Sequence, residues 1–273
     1  MKKYKALILD VDGTLIGADY TISPKVKEAI FSIKDKMLVS LCSGRCFDRI
    51  HKYVNELELT SLQMCDDGGE IYDPVKHQPV YQKIINLPVA REIIRDIKKN
   101  GWHYVVSHKS EYYVDKPYMS EEILRGYKFA VEKVMPNLNG VKNPQLTKIT
   151  ITGVTPQNQK KVEEVLQPYS EDVHFIAAAY GLKRVTPFYA IDITQKGATK
   201  LTALEEYVKL NKINLAETVV VGDGYNDFPL LLAGGLKIAM GNAADDLKKI
   251  ADFVAPGIDE DGVAMVIEKF LKE

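Results

Sequence analysis

The apolar positions of the chain follow two textures. Tyr4 to Leu9, Met37 to Cys42 and Thr218 to Val221 are short apolar runs, each broken off by Asp, Ser or Gly. Runs of this kind suit strands covered on both faces, as in a parallel sheet. Between the first two lies SPKVKEAIFSIKD. There Ser23 is placed to cap a helix and Pro24 fits its first turn, while Val26, Ala29, Ile30 and Ile33 form one apolar stripe. Strand, helix and strand together predict a βαβ unit.

After Asp66 the texture changes. A Gly-rich turn, GEIYDP and PVYQKI suggest a hairpin, followed by a helix from Pro88 to Lys99 that Gly101 stops. WHYVVSH, EYYVD, LTKITITG and VHFIAA read as strands, with helical stretches at SEEILRGYKFAVEKV and PQNQKKVEEVL. The parallel texture is then expected to resume with YAIDIT. A helix over ATKLTALEEYVKL with Leu201, Leu204 and Val208 on its apolar side comes next, then the strand TVVVGD, a short helix NDFPLLLAG, the strand KIAM and a C-terminal helix. The expected fold is therefore α/β: a Rossmann-like parallel-sheet core from residues 1–83 and 188–273, with a second domain of mixed sheet and helices inserted at 84–187.

Composition narrows the class of partner. Lys and Arg total 36 against 37 Asp and Glu, and this formal net charge of −1 supplies no general attraction to a nucleic-acid polymer or an anionic membrane. Hydrophobic residues at 46% suffice for packed cores and argue against long disorder. Asp10 and Asp12 interrupt the N-terminal apolar run well short of a signal-peptide core or a membrane span. Cys42, Cys46 and Cys65 are too few for a disulfide framework and lack zinc-site spacing. Reduced thiols and a cytoplasmic location are the expectation; oligomeric state is not legible.

The candidate chemistry gathers at strand ends. DVDGT sets Asp10 and Asp12 two positions apart where a buried strand stops and Gly13 permits a sharp turn. Ligands of parallel α/β sheets collect beyond the carboxyl ends of the strands. Ser43-Gly44-Arg45 follows the second run, Lys196-Gly197 follows AIDIT, and Asp223, Asn226 and Asp227 lie in GDGYND. A phosphoryl group needs donors and cations, and a hard divalent cation needs oxygen ligands. Each residue has a plainer reading: Asp10 and Asp12 in a hydrogen-bonded turn, Ser43 as a helix cap, Lys196 as a solvated surface lysine, Asp227 as a charge in the first turn of its helix. Arg45 reads equally as a substrate contact and as the partner of a carboxylate.

Together these motifs resemble the haloacid dehalogenase-like phosphohydrolases, whose pattern runs DxDGT, an apolar run ending in Ser or Thr, a Lys, and GDxxND. The spacing resembles the Cof-type branch, in which a large α/β cap lies between the second and third motifs; AMGNA and DEDGVA extend the likeness over nearly the whole chain. The resemblance implies a Mg²⁺-dependent phosphatase for small phosphate monoesters, sugar phosphates first. In it Asp10 would be the nucleophile that becomes an aspartyl phosphate, and Asp12 the general acid and then base. Asp10, the Asp12 carbonyl and Asp223 would hold the metal, with Asp227 supporting it. Ser43, Gly44, Lys196 and Asn226 would bind phosphate. The same residues would also serve a phosphomutase, and a non-catalytic phosphometabolite binder is the third reading; the intact Asp10 and Asp12 pair speaks against the last.

One departure stands out. Where the family commonly has Asn-Gly, this chain has Asp67-Gly68 in CDDGGE. Asp accepts the same left-handed turn, but adds a negative charge near the expected phosphate. In the inserted segment, His103, His108, Trp102, Tyr104, Tyr112 and Tyr113 are expected to pack rather than bind metal, whereas Asp115, Lys116, Tyr180 and Arg184 are candidates for selecting the substrate.

Overall fold

The computed structural model describes residues 4–114, 143–178 and 189–272. The chain divides into two compact units, Met1–Tyr81 with Thr199–Glu273, and Gln82–Ala198. In chain order, the first unit opens with β1 (Ala6–Leu9), α1 (Pro24–Ile33), β2 (Leu38–Leu41), α2 (Phe47–Glu56), β3 (Gln63–Cys65), β4 (Glu70–Asp73) and β5 (Gln78–Gln82). The second carries α3 (Leu87–Lys99), β6 (His103–His108), β7 (Glu111–Val114), β8 (Leu146–Val154), α4 (Gln159–Leu166), β9 (Val173–Ala178) and β10 (Tyr189–Gln195). The chain then completes the first unit with α5 (Lys200–Leu210), β11 (Thr218–Gly222), α6 (Phe228–Ala233), β12 (Leu236–Ala239), α7 (Asp245–Ile250), β13 (Phe253–Val254) and α8 (Gly262–Phe270).

The first unit is built on a parallel sheet of order β13-β12-β11-β1-β2. Its two faces are both buried, which is why its strands read as unbroken apolar runs. Leu7 and Leu9 pack with Val219, Val221 and the stripe Val26, Ala29, Ile30 and Ile33 of α1 on one side. Ala6 and Ile8 pack with Val220, Leu204 and Leu231 on the other. As expected, Ser23 caps α1, accepting from the Val26 amide at 3.2 Å.

The second unit holds an antiparallel sheet of order β7-β6-β8-β10-β9. Ile149, Ile151, Ile191 and Ile193 on its apolar face pack against Ile93 and Ile97 of α3 and Val162 and Leu166 of α4. Tyr104 belongs to this core, with Trp102 and Tyr113 against it. Asp115, Lys116, Tyr180, Arg184 and the helical stretch expected at SEEILRGYKFAVEKV lie outside the described residues.

Two expectations are corrected here. The strand YAIDIT does not resume the parallel core: β10 pairs antiparallel with both β8 and β9. Both of its faces are buried, Asp192 on the polar side accepting from Thr150 Oγ1 at 2.5 Å, so its hydrophobicity alone imitates a core strand. The return to the first unit falls after Ala198, not at residue 188. Secondly, the buried stripe of α5 is Lys200, Ala203, Leu204, Tyr207 and Val208, and Leu201 is only half-buried.

The turn after β3 fixes where α5 begins. Asp66 and Asp67 adopt φ of 52° and 53°, the left-handed region that Asp tolerates. Gly68 follows at φ +95°, and a Cβ there would stand 2.1 Å from the carbonyl oxygen of Thr199, the residue that caps α5. Gly68→Ala is therefore expected to cost more than ~1 kcal/mol of unfolding free energy, combining backbone strain with displacement of Thr199. Urea denaturation measures this; an unchanged midpoint would show that Thr199 yields freely.

Candidate active site

The ends of β1, β2, β3 and β11 and the start of α5 bring the chemistry together. Asp10 directly follows β1, and its amide still donates to Val221 of β11 at 3.0 Å, so the strand pairing itself positions this carboxylate. Asp10 is only 6% exposed. Asp223 directly follows β11. Thr14 Oγ1 donates to its Oδ1 at 2.9 Å, and Asn242 Nδ2 donates to its Oδ2 at 3.3 Å and to the Gly13 carbonyl at 2.8 Å. The loop that opens with Asp10 and the loop that carries Asp223 are thereby tied.

Asp227 is fully buried. Its side chain makes no capping bond to α6; instead Oδ2 accepts the amides of Asp223 at 3.0 Å and Gly224 at 2.9 Å. Its Oδ1 faces the Lys200 ammonium at the centre of the cluster. Lys200 Nζ lies 2.5 Å from Asp10 Oδ1 and 2.6 Å from Asp227 Oδ1.

Lys200, not Lys196, is thus the lysine that the structure sets beside the aspartates. Lys196 sits in the second unit, exposed, donating to the backbone carbonyl of Ser170. The physical reason is the reassigned strand: once β10 belongs to the antiparallel sheet, Lys196 follows a strand of that unit, and the first residue of α5 is the lysine carried inward. A sequence signal for Lys200 existed. It stands in i, i+3, i+4 phase with the buried Ala203, Leu204, Tyr207 and Val208, an unusual place for a lysine that has no partner.

The electrostatics of the trio follow from burial. Burial pushes the Asp10 carboxyl well above the ordinary Asp range; Asp227 and Asp223 push the same way, and the Lys200 ammonium opposes them. For Lys200, burial alone would favour loss of its proton, but Asp10 and Asp227 more than offset that and hold its pKa above the usual lysine value. Asp10, Asp223 and Asp227 each offer an oxygen, all within 4.8 Å of one another. Three carboxylates converging on one point, with one of them disfavoured as an anion, suit a hard divalent cation. In this trio a carboxylate oxygen of Asp227 stands beside those of Asp10 and Asp223.

Ser43 and Gly44 follow the β2 end. The Ser43 amide donates to Met64 at 2.9 Å, and its Oγ accepts the Arg45 amide at 3.1 Å. Ser43 does not cap α2, whose N-cap is Cys46. Arg45 resolves to a carboxylate partner: its Nε donates to Asp12 Oδ2 at 2.7 Å, and a terminal nitrogen donates to Oδ1. The guanidinium is buried and lies 5.6 Å from the Tyr20 ring centre, while the Asp12 side chain remains 49% exposed. Asn226 Nδ2 donates to Asp67 Oδ1 at 3.0 Å. Lys200, Thr14 and Asn242 are thus the residues for which sequence reasoning had assigned no role.

This geometry joins a direct comparison with known proteins. Residues 7–267 match the sequence profile described as haloacid dehalogenase-like hydrolase. The chain belongs to that family. It is 25% identical to the 5-amino-6-(5-phospho-D-ribitylamino)uracil phosphatase YitU of Bacillus subtilis, over 98% of this chain and 96% of that protein. It is likewise 25% identical to the pyridoxal phosphate phosphatase YbhA of Escherichia coli, over 98% of each. A solved haloacid dehalogenase-like hydrolase from Bacteroides thetaiotaomicron superposes with a TM-score of 0.83 at 26% identity, covering 98% of this chain and 99% of that one. In this haloacid dehalogenase-like hydrolase the DVDGT and GDGYND segments meet at the cluster around Asp10.

Lys200→Met is expected to lower unfolding free energy by about 3–5 kcal/mol, because it leaves the Asp10 and Asp227 carboxylates buried without their cation. Lys196→Met is expected to leave stability near that of the unaltered protein. Parallel urea denaturation of the two variants checks this, and equal behaviour would remove Lys200 from its assigned place.

Proposed function

We propose that this protein is a Mg²⁺-dependent phosphatase that hydrolyses small phosphate monoesters through an aspartyl phosphate on Asp10. The observation that carries this reading is the buried Asp10 carboxylate, held through one oxygen by Lys200 and grouped with Asp223 and Asp227. A carboxylate of fixed orientation at a strand end, with one oxygen held by Lys200, is positioned to act as a nucleophile. The names of the relatives specify two different small phosphate esters, one of a ribityl group and one of pyridoxal. Small soluble monoesters, with sugar phosphates first, are accordingly the proposed class.

Asp10 attacks phosphorus in line, forming its oxygen–phosphorus bond as the bond to the alcohol breaks. Asp12 delivers a proton to the departing oxygen, then removes one from the water that attacks the aspartyl phosphate and releases orthophosphate. Arg45 holds the Asp12 carboxyl through two nitrogens, so in the first step that carboxyl must turn from Arg45 toward the leaving oxygen. Ser43, the Gly44 amide and Asn226 bind phosphoryl oxygens, and Lys200 neutralises charge on Asp10. Asp10, the Asp12 carbonyl and Asp223 would hold the metal, with Asp227 bracing the site through Lys200 and the Asp223 amide. When bound, Mg²⁺ neutralises charge shared by Asp10 and the transferring phosphoryl group.

Release of phosphate from a generic aryl phosphate tests the reading. Activity is expected only with Mg²⁺, and Asp10→Asn and Asp12→Ala are expected to reduce it by several orders of magnitude. Folded protein that stays inert with Mg²⁺, on the aryl ester and on a sugar-phosphate panel, would overturn it. A pH dependence follows as well. Because the Asp10 carboxyl keeps its proton above the ordinary value of 3.8, a proton and Mg²⁺ compete for it. Mg²⁺ affinity by calorimetry is expected to rise with pH through the window above 3.8, and a flat profile would place the metal away from Asp10.

A further inference from the structure

Asp67 is a charged side chain with no part in the proposed chemistry, yet it lies at the phosphate-binding end of the site. It is 7% exposed. Its Oδ1 accepts from Asn226 at 3.0 Å, and a Cβ built on Gly44 would stand 3.0 Å from each of its carboxylate oxygens. Of the groups assigned to the phosphoryl oxygens, Asn226 therefore donates to an acidic side chain, and the same carboxylate occupies the space that a side chain at Gly44 would need. The influence of Asp67 also reaches Lys200, whose charged form it favours.

The charge balance gives this placement a consequence. Among the described residues, Asp10, Asp12, Asp67, Asp223 and Asp227 face the cations Lys200 and Arg45. With a divalent metal added, this group carries one net negative charge when Asp67 is ionised and none without it. A phosphate dianion entering at Ser43, Gly44 and Asn226 meets that surplus at short range in a buried site, where charge interactions are stronger than in water. Asp67 also engages the amide nitrogen of Asn226, a donor that the phosphate would otherwise have to itself.

We propose that Asp67 is a specificity-determining residue that weakens the site's hold on phosphate anions by charge. This rests on the phosphatase reading above. Orthophosphate and phosphate esters meet the same charge, and orthophosphate, which offers nothing but its oxygens, has no other contact to offset it. A phosphate ester recovers affinity through its alcohol portion, so the site favours esters with a sizeable polar alcohol group over bare phosphate or minimal esters. Product release is eased for the same reason.

The test is orthophosphate binding to the full chain in Mg²⁺ buffer, by calorimetry and by inhibition of aryl phosphate hydrolysis, for the unaltered protein, Asp67→Asn and Asp67→Ala. Asn keeps the shape and tolerates the left-handed backbone, and Ala removes both charge and acceptor. The expected result is binding about tenfold tighter in both variants, equivalent to ~1.4 kcal/mol. Unchanged or weaker binding in both would overturn the proposal. Tightening in Asp67→Asn alone would overturn it too, because the new amide rather than the lost charge would be the cause. A thermal melt of each variant guards against misfolding. If neither the unaltered protein nor Asp67→Asn binds orthophosphate at all, and no ester is hydrolysed, the phosphatase reading itself falls, an outcome distinct from equal binding.

Discussion

The bond pattern of Lys200 is the constraint on which the rest of the site depends. Two buried carboxylates converge on its ammonium, at 2.5 Å from Asp10 and 2.6 Å from Asp227. Neither side of this arrangement is stable alone: the lysine would be a buried cation, and the aspartates would be mutually repelling anions. A triad of this kind contributes less to stability than an apolar core of the same volume. It does impose orientation, since Asp10 has one oxygen tied in place, and it links three segments far apart in the chain.

The fold supplies those segments through backbone geometry. Pairing of β1 with β11 carries Asp10 and Asp223 to the same edge of the parallel sheet. Gly68 lets the turn after β3 approach the carbonyl of Thr199, which sets the first residue of α5. Thr199 then caps that helix by accepting the Thr202 amide at 3.2 Å, and Lys200 enters the core at the first helical position. A strand order and a cap, neither of them chemically reactive, thus decide where the ammonium stands.

Around this centre a second set of contacts holds the reactive groups by their flanks. Asn242 reaches both Gly13 and Asp223, and its side-chain oxygen accepts the Ile258 amide at 2.9 Å, joining the AMGNA segment to the loop that leads into α8. Arg45 grips Asp12 with two nitrogens. Such supports cost little where they lie on rigid elements, and they limit the motion of carboxylates that must meet a metal and a phosphate at defined angles.

The sequence by itself determined much of this. The βαβ unit, the acidic ends of β1 and β11, the left-handed turn at Asp67 and the glycine beside it are local matters, written in periodicity and in residues whose backbone preferences are intrinsic. The resemblance to a known family rested on the same short motifs and extended to nearly the whole chain. What only the tertiary structure decided are the contacts between distant segments: that β10 joins the antiparallel sheet, that Arg45 meets Asp12, that Asp227 turns toward Lys200 and Asp223, and that Lys200 rather than Lys196 is buried. The two lysines are one helical turn apart in number, and both follow an apolar strand. Which of them points inward depends on the sheet that the strand enters and on the residue at which the next helix starts. Both are set by pairing and packing against segments distant in the chain, and the helical phase of Lys200 with Ala203, Leu204, Tyr207 and Val208 separates the two lysines only once that start is fixed.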